Sequence, residues 1–183
     1  DRPGTPPKIT YYLYSTVDRK IDETSRDEVV HLDLATAEIH GVFSRTAREV
    51  DPWLDLMILL HHSIGPTCSP RLERALAIAL SPQFQGREVG TMAARLFQDA
   101  QGADSAVLKS LNDKDVMTPA DGPPGGNDLL LAAFLRHLVV SHGRSKAFAF
   151  VSQASPRKLD EAFHQAYGRA LRPAIGDWGG ATR

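Results

Sequence analysis

A single cysteine, Cys68, stands in the 183 residues. The chain can therefore close no internal disulfide and build no thiolate zinc cluster. With no base beside it in sequence, Cys68 reads as a small buried apolar residue rather than a nucleophile. Charge of one sign is also missing: 21 Lys and Arg stand against 22 Asp and Glu, leaving a net charge of -1. No global field would hold such a chain on nucleic acid or anionic lipid. Basic and aromatic residues do not interleave as they do on single-strand platforms. Arg169, Arg172 and Arg183 fall near the C-terminus and read as solvated surface rather than as a basic docking patch. Long apolar runs are absent as well; the longest, at 54–60, is much too short to cross a bilayer. The chain begins with Asp1 rather than methionine, as an excised or processed piece would.

The common catalytic signatures are missing too. The glycines and prolines at 123–127 lack the lysine and the strand-to-helix context of a phosphate loop. No Gly-x-Ser-x-Gly elbow occurs. Ser141 and His142 are neighbours, and on a helix adjacent side chains point about 100° apart, so they cannot pair as nucleophile and base. No internal repeat is visible.

What is present suits one globular domain over 1–183, with 42% hydrophobic and 23% charged residues. Residues 1–7 are a proline-rich tail, and 118–126 form a loop long enough to be flexible. The β-prone run at 9–14, the alternation at 28–34 and a third segment at 38–43 predict a small sheet. Helices then take over. Asp51-Pro52 and Ser69-Pro70 are start signals, an N-cap followed by proline at the first helical position. They predict helices from 51 to Gly65 and from 69 to about Leu80. Residues 82–86 read as a turn, 87–100 and 106–111 as helical. Asn127 reads as the cap of a helix over 128–142, whose almost wholly apolar 129–135 suggests a central, buried position. Further helices are expected around 146–152 and from Ser155-Pro156 to Gly168. The fold class is α+β.

Seven histidines are candidates for metal work, and spacing argues against each. His61 and His62 are adjacent, not one turn apart on one helix face; His137 and His142 are five apart and diverge; His31, His40 and His164 are isolated in sequence. All read as surface or satisfied core residues.

Several phrases resemble a peptidase-MA-like member of the gluzincin zinc metallopeptidases. The strand at 8–14 is similar to their first strand, and Glu38-Ile39-His40 to the strand before their active-site helix. Pro70-Arg71-Leu72-Glu73-Arg74-Ala75-Leu76-Ala77 resembles the helix bearing their third zinc ligand, a glutamate. In the C-terminal half Ala133-Phe134-Leu135, Val140-Ser141-His142-Gly143, Leu159-Asp160-Glu161-Ala162-Phe163, Ala166-Tyr167-Gly168-Arg169-Ala170-Leu171 and Trp178 resemble the closing phrases of that family. The resemblance spans nearly the whole chain, and its phrases are mostly structural.

The catalytic helix is where the sequence departs. The family's His-Glu-x-x-His motif falls in one register on Arg48-Glu49-Val50-Asp51-Pro52, which keeps the glutamate and loses both histidines. In the other it falls on Asp51-Pro52-Trp53-Leu54-Asp55, with carboxylates at both ligand positions and no general base. Zinc is therefore not expected. The second register sets Asp51 and Asp55 one turn apart, where Glu73 could join them around calcium or magnesium. The competing explanation is a helix N-cap for Asp51 and dipole-favoured first-turn acids for Asp55 and Glu73.

Three readings follow. The first is a non-catalytic, zincin-like pseudoenzyme, extracytoplasmic as the resemblance implies, that binds a protein or peptide and has Trp53 filling a former groove. The second is a hydrolase using Glu49, Asp51, Asp55 and Glu73, with or without a divalent cation. The third is an unrelated helical interaction domain.

Overall fold

The computed structural model describes residues 6–43, 51–65, 67, 69–92, 95, 124–155 and 157–181. Its N-terminal part is a three-stranded sheet of β1 (Thr10–Tyr14), β2 (Val30–Asp33) and β3 (Glu38–Val42), in the order β1-β3-β2. β3 is central, parallel to β1 and antiparallel to β2. The tight β2–β3 connection is shaped by Asp33, whose Oδ1 accepts from the backbone N–H of Ala35 and Thr36, while Ala37 takes φ 59°. Helix α1 (Val17–Thr24) follows β1 and is capped by the Thr16 hydroxyl, which accepts from the Arg19 N–H.

Helices α2 (Trp53–Ile64), α3 (Pro70–Leu80), α4 (Gly126–His142), α5 (Arg144–Gln153), α6 (Leu159–Tyr167) and α7 (Leu171–Ala181) carry the core. α3 packs most extensively on α4 and also against α2. Leu129 to Leu135 of α4 are all buried, as their apolar run predicts. A short hairpin, β4 (Gln83–Phe84) and β5 (Arg87–Glu88), follows α3. Phe134 of α4 lies between Phe163 of α6 and Trp178 of α7, at 6.3 and 5.4 Å between ring centroids, and ties the last helices to the core. Ile39 of β3 is the sheet's main contribution to the same core.

Charged side chains brace the central helices in two places. Asp128, in the first turn of α4, takes Arg71 Nε at 2.8 Å, Arg74 Nη2 at 3.0 Å and the Gly125 N–H at 2.8 Å. Arg136 donates to the carbonyls of Ala79 and Ser81, closing the C-terminal end of α3.

Several local expectations change. Asp51 does not cap α2: Pro52 holds the cap position without a side-chain bond, and the Asp51 carboxylate reaches Gln85 instead. Asn127 does not cap α4, which starts one residue earlier, with Asp128 bonding back to Gly125. Residues 82–86 belong to a hairpin rather than a plain turn, and α6 opens at Lys158 rather than at Ser155. Helix α7 was not anticipated. Its Pro173, Gly176 and Gly179 lower helix propensity, but Leu171, Ala174, Ile175 and Trp178 are buried at helical spacing, so packing prevails. The expected helix over 106–111 and most of the 118–126 loop lie outside the described residues.

Candidate functional site

Glu73 is the best-held carboxylate of the candidates. It sits in the first turn of α3, which Ser69 caps by accepting from the Leu72 N–H, and it is 2% exposed. A carboxylate so deep needs a partner for each oxygen. His61 Nδ1, on the last turn of α2, lies 3.1 Å from Oε1, and the Thr67 hydroxyl donates to Oε2 at 2.9 Å. With Nδ1–H donating to Glu73, Nε2 is the ring nitrogen left to point away from the carboxylate. This is the geometry of an oriented imidazole, and neither register of the peptidase motif anticipated it. His62, next to it, reaches the carbonyl of Leu34 at 2.9 Å.

The other candidates go elsewhere. Asp51 Oδ1 accepts the Gln85 N–H at 2.8 Å, which joins the start of α2 to the hairpin. Asp55 accepts the hydroxyl of Tyr11, joining α2 to β1. Burial, then the bond to Asp55 and its charge, push the Tyr11 phenol well above its ordinary range, so it stays a neutral donor. The three carboxylates thus serve three separate joints, and the described residues contain no group of three His, Cys, Asp or Glu side chains placed to hold a metal ion. Glu49 and Cys68 lie outside the described residues.

A second polar cluster occupies the outer face of the sheet. Residue pairing across the strands aligns Tyr12, His40 and His31 in one row. Their rings stack, Tyr12 on His40 at 4.6 Å and His40 on His31 at 4.5 Å, with planes 9° and 4° from parallel. His40 Nε2 lies 3.3 Å from a Glu38 oxygen, and its Nδ1 lies 2.9 Å from the Tyr14 hydroxyl. A neutral His40 therefore donates from Nε2 to the carboxylate and accepts the phenol proton at Nδ1. Burial first, then the charges of Glu23, Tyr12 and Glu38, raise the Tyr14 phenol, so this relay holds a proton in place rather than producing a phenolate. Parallel rings also keep the lone pairs of His31 and His40 in separate parallel planes, which does not suit a shared ion.

Sequence reasoning treated His31 and His40 as isolated. They meet because the β2–β3 register sets residue 31 opposite 40, a long-range fact that one-dimensional spacing does not contain. No protein-family model matches the chain, and neither a curated protein nor a solved structure matches it significantly.

Proposed function

We propose that the chain is a non-catalytic module that binds a protein or peptide, built on a retired plan of the gluzincin type. The observation that carries this reading is the use of its carboxylates. Asp51, Asp55 and Glu73 each hold an internal tie to Gln85, Tyr11, and His61 with Thr67, respectively. A carboxylate that activates water or holds an ion must aim a lone pair at that ligand.

The surroundings of His61 support the same view. The residue one turn before it on α2 is Met57, followed by Ile58, and both are buried apolar groups. A zinc hydrolase would need a ligand and a general base there. Trp53, 8% exposed, packs its ring near Phe84 at 6.4 Å, as a filled groove requires. The order β3, α2, α3 is the one the resemblance needs, although many folds share it.

The binding half of the proposal rests on the N-terminal sheet. Among the described residues, Tyr11, Tyr12, Leu13, Ile21, Val29, Val30 and Phe43 are exposed large hydrophobics, and only Val140 is found elsewhere. Strand register sets Leu13 and Val30 on the same face of the sheet, one on each side of Gly41, and exposed apolar side chains gathered in this way are characteristic of interaction surfaces.

Hydrolysis of a mixed peptide library by the wild type and an Asp55→Asn, Glu73→Gln double variant tests the catalytic half. We expect no metal-dependent cleavage from either. Cleavage by the wild type that the double variant loses would return the chain to the hydrolases.

A further inference from the structure

The stacked histidines on the outer face of the sheet have a role open to them beyond binding. His31 Nδ1 is buried and has no hydrogen-bond partner among the described residues. A neutral ring tolerates this with Nδ1 as a bare lone pair. A protonated ring does not, because both nitrogens become donors and one of them has nowhere to donate. The second ring, His40, lies face to face with it at 4.5 Å.

Helix α1 packs against β1 and β3 and seats Lys20, whose side chain is fully buried. Its Nζ donates to the carbonyls of Glu28 at 2.5 Å and Arg26 at 3.3 Å. The charged and titratable groups acting on His31 are therefore Lys20 from α1, Arg26 and Glu28 from the segment before β2, and His40 from β3. Beyond His40 stand Glu38, Tyr12 and Tyr14, with Glu23 of α1 acting on Tyr14. Only Glu28 favours a charged His31; burial, Lys20, His40 and Arg26 all oppose it. α1 has eight residues, too few to persist as a helix without its packing.

We propose that the stacked pair His31–His40 is an acid-operated latch for α1: a neutral His31 ring keeps Lys20 seated, and a proton taken up by His31 releases α1 from the sheet. Release uncovers Tyr14, which is buried beside His40, and sets the Lys20 ammonium in water. Burial, followed by Lys20 and His40, lowers the His31 pKa to about 4 in the docked state, against 6.5 for a solvated ring. The released state thus binds a proton that the docked state refuses. Docking is complete above pH 6.5, weakens as pH falls, and has lost this contribution below about pH 4.

Hydrogen exchange of the whole chain, corrected for intrinsic rates, tests the latch. Between pH 7.5 and 5 the amides of 17–24 are expected to lose roughly tenfold in protection, after discounting for the partial solvent contact of His31, while α3 and α4 keep theirs. His31→Phe keeps a stacking ring and cannot titrate, so its α1 protection should not vary with pH. Unchanged wild-type protection, or the same pH response in His31→Phe, overturns the proposal. If His31→Phe does not fold, NMR titration of the wild-type imidazoles decides. The opening of α1 must then track the protonation of His31, and a His31 that charges while α1 stays protected refutes the latch.

Discussion

Glu73 illustrates how a residue can look functional in sequence and structural in space. Its position in a family-like phrase suggests a ligand, whereas its burial and two hydrogen-bond partners make it a joint between α2 and α3. The two roles predict opposite responses to mutation. A carboxylate kept for chemistry often costs stability, and removing it is neutral or stabilising. One kept as a joint leaves unsatisfied groups behind. Glu73→Gln is expected to lower unfolding stability by about 1–2 kcal/mol and His61→Ala by about 1–3 kcal/mol, both read from urea midpoints at pH 7.5. A more stable Glu73→Gln protein would argue for a functional carboxylate. Little of this was legible at the residue scale. The N-cap explanation for Asp51 and the first-turn explanation for Glu73 rested on local position alone; Glu73 does stand in the first turn of α3, but each carboxylate also found a partner distant in sequence that no local rule could supply.

Among the elements, α4 was the easiest to read, because an apolar run as long as 129–135 has no stable place except the interior. α7 was the hardest. Its buried positions keep helical spacing, but its glycines and proline speak against a helix until Phe134 and Trp178 are seen to meet. The sheet was legible as three strands, while its order, with β3 between β1 and β2, was not, since pairing is decided by partners distant in sequence. The contact of α3 with α4 depends on Asp128, whose two oxygens are shared by Arg71, Arg74 and the Gly125 N–H. Asp128→Ala leaves two guanidinium groups facing each other in a buried site. It should cost about 3 kcal/mol in equilibrium unfolding, more than a surface pair would. A loss under about 0.5 kcal/mol would mean that the tie is no stronger than an exposed one. Phe134→Ala, which opens a cavity between α6 and α7, should cost about 3–5 kcal/mol by the same measurement.

For the molecule as a whole, a helical core supports a small sheet whose exposed side chains are largely apolar, and both halves of the proposed function depend on that division. Charged substitutions on the sheet, Leu13→Asp with Phe43→Asp, touch residues 58% and 56% exposed. They should leave unfolding stability within about 0.5 kcal/mol and reduce the binding of an apolar dye at pH 7.5. Unchanged dye binding would show that these side chains do not form the accessible surface. The central claim, that the carboxylates hold the fold and not an ion, is tested most directly by metal content. The purified chain would be incubated with zinc, calcium and magnesium, dialysed, and analysed by mass spectrometry. No stoichiometric metal of any kind is expected. Zinc retained in proportion to the chain would contradict the claim and identify His61 with Glu73 as a working site, and retained calcium or magnesium would contradict it through Asp51, Asp55 and Glu73.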